Sequence, residues 1–117
     1  MGFLSKIKIN QKDLVLLSYP FSSMENMKIR PALVISNNLF NKKSQDCILV
    51  PLTSVIKNEL YSIIITQENL KEGKLIKTSR IKVDKIFSLQ KDLIRMKIGV
   101  LDEETFDKVR KELFSLI

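Results

Sequence analysis

The sequence contains no histidine and no tryptophan, a single cysteine and three isolated glycines. Without histidine the chain lacks the commonest general acid–base and the commonest metal ligand. With only one cysteine as well, zinc sites of the usual kind are excluded. No serine or cysteine nucleophile has an imidazole to pair with. Gly2, Gly73 and Gly99 stand apart from one another, so there is no glycine-rich phosphate loop. Cys47 cannot close an internal disulfide, and it lies in the apolar run Cys47-Ile48-Leu49-Val50, where it reads as a small buried hydrophobe. One cysteine and no secretory signature point to the cytoplasm. The apolar runs fall far short of the ~20 residues that a membrane span needs. Whatever chemistry occurs has to run on carboxylates, lysine, arginine and hydroxyls, or on groups the substrate brings.

What the chain has instead is positive charge. Twenty Lys and Arg stand against 13 Asp and Glu, a formal net charge of +7, and the pI is about 9.6. A small domain with that excess attracts polyanions, nucleic acid above all, or an acidic protein. A solvated, lysine-rich surface is the plainer explanation of the same numbers. At 117 residues the chain is expected to be one domain, residues 1–117. Its 44% hydrophobic content is enough to fill a core without cross-links.

The pattern along the chain is that of a mainly β protein with one helix. Residues 1–12 are a lead-in, readable as an edge strand. Asp13 to Leu17 is a short apolar strand ended by Pro20, and a polar-mixed loop runs from Phe21 to Ile29. Arg30 to Ser36 is a second strand, with Pro31 near its start where a missing amide does least harm. Asn37-Asn38 marks a turn. Further strands are expected over 46–53, 60–66, 74–83, 86–89 and 96–100. Short strands at such spacing favour a small barrel or sandwich over a βαβ arrangement. The period then changes. Asp102 is a good N-cap, Glu103 and Glu104 complement the positive end of a helix, and Phe106, Val109, Leu113 and Leu116 form one apolar stripe.

Three stretches, in order, carry a family resemblance. Glu25-Asn26-Met27-Lys28-Ile29-Arg30-Pro31-Ala32-Leu33-Val34 resembles the loop and second strand of MazF/PemK toxins, in which a Glu-Gln lies in the loop and an Arg-Pro begins the strand. Val50-Pro51-Leu52-Thr53-Ser54 is similar to that family's third strand, which ends in Thr. Lys82-Val83-Asp84-Lys85-Ile86, followed by Lys97-Ile98-Gly99-Val100-Leu101-Asp102, resembles the signature that precedes its last helix. The resemblance implies an SH3-like barrel with added helices, acting as a homodimer. It also implies a metal-independent endoribonuclease without cofactor, which cuts single-stranded mRNA and is neutralised by a cognate antitoxin with an acidic C-terminal segment.

Under that resemblance Arg30 takes the place of the family's catalytic Arg, and Thr53 that of its strand-end Thr. Arg30 otherwise reads as a surface residue pairing with Glu25 or Asp13, and Thr53 as the cap of a turn. Glu25, Lys28, Ser54, Lys82 and Asp84 are secondary candidates for catalysis or RNA binding. Some positions depart from the family pattern: Lys12 replaces a Gly, Asn26 a Gln, Phe87 an Arg and Gln90 an Asp. Two rival readings share the fold. One is a gyrase poison of the CcdB type, which engages its partner through a C-terminal end bearing a Trp; this chain ends Leu116-Ile117 and has none. The other is a non-catalytic SH3-like module that binds nucleic acid or an acidic protein, which the altered Phe87 and Gln90 would suit.

Overall fold

The computed structural model describes residues 7–19 and 28–117. Eight strands, β1 (Asp13–Tyr19), β2 (Lys28–Val34), β3 (Asp46–Thr53), β4 (Ser62–Ile65), β5 (Leu70–Gly73), β6 (Ser79–Lys82), β7 (Phe87–Gln90) and β8 (Ile94–Leu101), are joined by a short helix α1 (Asn38–Lys43) and followed by α2 (Glu103–Leu116). They form one antiparallel sheet in the order β4-β6-β3-β2-β1-β8-β5. β3 is shared along its outer edge: Asp46 to Leu49 pair with β7, and Leu52 and Thr53 with β6.

The middle of the sheet, β1 with the adjoining parts of β2 and β3, is buried on both faces, which explains why β1 reads as a continuous apolar run rather than an alternating one. Leu14, Leu33, Val50, Leu52 and Ile81 point to one side and pack with Phe106 and Val109 of α2. Val15, Leu17, Ala32, Val34, Cys47 and Leu49 point to the other, where Ile9, Phe87 and Leu89 cover them. Burying each such side chain contributes about 1.5–3 kcal/mol. Helix α2 begins as its sequence predicts. The Asp102 carboxylate accepts from the Thr105 amide at 2.7 Å, and Phe106 and Val109 are nearly inaccessible.

Several expectations need correction. Residues 38–43 form a helix, not just the turn expected at Asn37-Asn38. The Asn37 side chain caps it by accepting from the Phe40 amide at 2.8 Å, and Asn41 is buried against Ser36. The strand expected over 74–83 is only Ser79–Lys82. The chain leaves β5 at Gly73, whose φ of +92° turns it away, and the Leu75 amide donates to the Gln67 side chain at 2.7 Å instead of to a strand. The missed strand β5 lies before this corner. β4 starts later than expected because Tyr61 has a φ of 56°. Residues 7–12 form no strand.

Two departures from the family pattern have plain structural roles. Phe87 faces Leu49 across the β3–β7 pair and packs into the second core. Lys12, where the family has Gly, has a φ of 81°. That backbone favours glycine, and this chain holds a lysine in it, with Nζ 2.9 Å from Glu103 and 5.7 Å from the Phe106 ring centroid.

Candidate active site

The ends of β2 and β3 meet where the register is simplest to follow. Ala32 faces Pro51, Leu33 faces Val50 and Val34 faces Leu49. The β2–β3 pairing ends at Ala32–Pro51, two residues short of Arg30 and Thr53. Arg30 continues along β1 opposite Leu17 and Thr53 along β6 opposite Arg80, and both line the groove that opens between them. Arg30 is exposed and Thr53 half-buried. Thr53 is the last residue of β3, and its hydroxyl oxygen accepts from the Val55 amide at 3.1 Å. It therefore does cap the turn into the next loop, and its own hydrogen stays available to donate.

A groove of about 460 Å³ opens at this end of the sheet. Arg30, Thr53, Ser54 and Lys77 line it beside Ser79, over an apolar bed that includes Leu16, Pro31, Leu52 and Ile98. Its described lining carries two cations, three hydroxyls and no carboxylate. Such a surface suits an anion held at a fixed place beside apolar groups.

Three of the candidates read from the sequence are thus brought together in one groove: Arg30, Thr53 and Ser54. Lys28 is exposed at the first position of β2, on the same face as Arg30 but outside the groove lining. Lys82 ends β6, where it faces Ser62, and Asp84 is exposed in the turn closed by the Lys85 amide donating to the Lys82 carbonyl. Neither lines the groove. Asp84 makes no ion pair among the described residues. Glu25 lies outside the described residues. Lys77 and Arg80 were not singled out from the sequence. Their only signal there is a basic residue within a segment whose turn at Gly73 is invisible to alternation.

Chemistry elsewhere is quiet. Burial pushes the Cys47 thiol up to about 11, so it is held protonated and out of reach of a substrate. The buried Asp13 carboxyl is raised above its usual value by desolvation, against the opposing pull of the Asn10 amide and of Lys97 at 3.3 Å. No group of three metal-ligating side chains occurs among the described residues, and no described helix is long and apolar enough to cross a membrane.

With that geometry in place, the comparison with known proteins is decisive. The family model of PemK-like, MazF-like toxins of type II toxin–antitoxin systems matches residues 10–117. The chain belongs to this family. No curated protein matches it in sequence. Among solved structures it resembles a MazE–MazF complex from Deinococcus radiodurans, at 21% identity over 95% of this chain and 96% of that one, with a TM-score of 0.80. It also resembles an endoribonuclease solved with its cognate antitoxin from a mycobacterial species, at 19% identity over 92% of both chains and a TM-score of 0.76. A third is the Mycobacterium tuberculosis toxin MazF-mt6, at 13% identity over 86% of this chain and 93% of that one, with a TM-score of 0.68. At these identities the likeness is one of fold, and the PemK/MazF fold is what the curled sheet and terminal helix form.

Proposed function

We propose that this PemK/MazF-family chain is the toxin of a type II pair and an endoribonuclease that cleaves single-stranded mRNA in the cytoplasm without a metal ion. The observation that carries the reading is that Arg30 and Thr53 line one cationic, hydroxyl-lined groove. RNA supplies its own nucleophile. The 2′-hydroxyl attacks the adjacent phosphorus in line, a P–O bond forms, and the bond to the 5′-oxygen breaks. The products are a 2′,3′-cyclic phosphate and a 5′-hydroxyl.

The protein then has to position the strand, stabilise the charge that builds on the phosphorane oxygens and move protons. The Arg30 guanidinium, planar and permanently charged, fits two phosphate oxygens at once. Thr53, its oxygen already held by the Val55 amide, donates its hydrogen to a phosphate oxygen or orients the 2′-hydroxyl. Ser54 and Lys77 extend the phosphate contacts along the groove. A guanidinium is not a general base, so proton removal from the 2′-hydroxyl falls to another group, with Glu25 the carboxylate nearest Arg30 in sequence and Asp84 placed outside the groove.

The reading includes a homodimer and an antitoxin whose acidic C-terminal segment competes with RNA for the basic surface. The test is incubation of the pure protein with a long RNA in EDTA. Discrete fragments ending in cyclic phosphate, lost in a folded Arg30→Ala variant, support it. RNA left intact at stoichiometric protein would favour the non-catalytic binding module.

A further inference from the structure

Beside the groove, residues 54–61 join β3 to β4, and the stretch 54–60 leads up to Tyr61, whose carbonyl accepts from the Val83 amide. That stretch makes no backbone–backbone hydrogen bond among the described residues. Burial does not fix it either, since Val55, Ile56 and Leu60 are 56%, 46% and 82% exposed. What holds it is side chains, and the principal one is Arg80. This arginine is 4% exposed, and on β6 it faces Thr53 on one side and Ile64 on the other. Its Nε donates to the Val55 carbonyl at 3.2 Å, and its Nη1 reaches Glu59 Oε1 at 3.3 Å.

The Val55 residue is therefore gripped at both ends. Its amide donates to the Thr53 hydroxyl, and its carbonyl accepts from Arg80. The same guanidinium ties down Glu59 four residues on, whose carbonyl in turn accepts from the Ser62 hydroxyl at 2.7 Å. A planar fork bridges the two anchors in a way a single ammonium cannot. Ser54 and Val55 line the groove, so the conformation of this loop shapes that part of its wall.

We infer that Arg80 is a positioning residue that fixes the 54–60 loop and through it selects the RNA sequence admitted to the groove. This rests on the endoribonuclease reading above. Arg80→Met fills the same space without donors, Arg80→Lys keeps the charge but not the fork, and Glu59→Gln weakens the outer anchor at a half-exposed site.

The experiment maps cut sites on one long RNA, measures kcat and KM on the preferred site, and follows hydrogen exchange of residues 54–60 without RNA. In Arg80→Met the expected result is faster exchange in 54–60, additional cut sites and a KM raised about tenfold with kcat much less changed. Arg80→Lys recovers only part of this. Glu59→Gln moves the same readouts in the same direction with an unchanged melting temperature, and it carries the test if Arg80→Met does not fold. An unchanged cut-site pattern and KM in folded variants overturns the inference, even if the melting temperature falls. If the unaltered protein leaves RNA intact, the function reading fails and selection with it. The exchange data then decide separately whether Arg80 holds the loop.

Discussion

At the scale of single residues, two predictions separate the hydroxyl of Thr53 from its shape. Thr53→Ser keeps the oxygen that accepts from the Val55 amide and a hydroxyl hydrogen to donate, and is expected to cleave RNA within a few-fold of the unaltered protein. Thr53→Ala removes a donor aimed at the developing charge and is expected to lose on the order of 10²-fold in kcat. Single-turnover cleavage of one RNA measures both. Equal activity of the two variants would reduce Thr53 to a turn cap. Asp13 gives a prediction in pH. Its folded carboxyl holds a proton more tightly than the unfolded one, whose value is 3.8. The folded state therefore binds more protons just above that pH, and stability falls as pH rises through the folded value. Asp13→Asn is expected to flatten this part of the profile, as read by urea unfolding between about pH 3.5 and 7.

Residue types also decide how much of the site is legible in the sequence. Arg30 and Thr53 are legible because each lies beside an apolar strand segment that its neighbours announce, and the fold brings both to one groove. Lys77 and Arg80 are not, because nothing in a linear reading shows that the chain turns at Gly73 and brings them back beside β3. Buried arginines are rare unless paired, and the pairing partners, Val55 and Glu59, are more than twenty positions away.

At the scale of elements, the corner at Gly73 has a cost attached. A β-carbon there would sit 2.2 Å from the Ile98 carbonyl oxygen and 2.3 Å from the Gly99 α-carbon, both backbone atoms, and the φ of +92° is a left-handed one. Gly73→Ala is expected to destabilise the protein by more than about 2 kcal/mol, through strain and a displaced β5–β8 pair. Chemical denaturation checks this, and a loss below about 0.5 kcal/mol would mean that the β5–β8 approach gives way easily. The same corner explains why alternation overextended the strand expected over 74–83. Leu75, Lys77 and Ser79 alternate with Ile76, Thr78 and Arg80 as a strand would, yet Leu75 and Ile76 flank the groove rather than a ladder. α2, by contrast, was fully announced. Its cap, acidic first turn and apolar stripe all agree, and consistency at every level is what makes an element readable. α1 was hidden because its six residues are too short for a period and its cap, Asn37, also suits a turn.

At the scale of the whole molecule, strand spacing pointed to a small barrel or sandwich and the final change of period to the terminal helix, while the single sheet order came from the structure. That β1, β2 and β3 are buried on both faces followed only from the structure, since a two-sided core needs β7 and residues 7–10 to fold over the second face. The proposed homodimer is a property of this scale. Sedimentation at micromolar concentration is expected to give twice the 13.5 kDa chain mass, and a monomer there would contradict it. The central claim is that the RNA supplies the nucleophile while Arg30 and Thr53 stabilise the charge. The most direct measurement uses an oligonucleotide spanning a mapped cut site, with a single 2′-deoxy substitution at the nucleotide whose hydroxyl would attack. This strand is expected to stay whole in EDTA while the all-ribose strand is cut. Cleavage of the substituted strand at the same bond would contradict the claim.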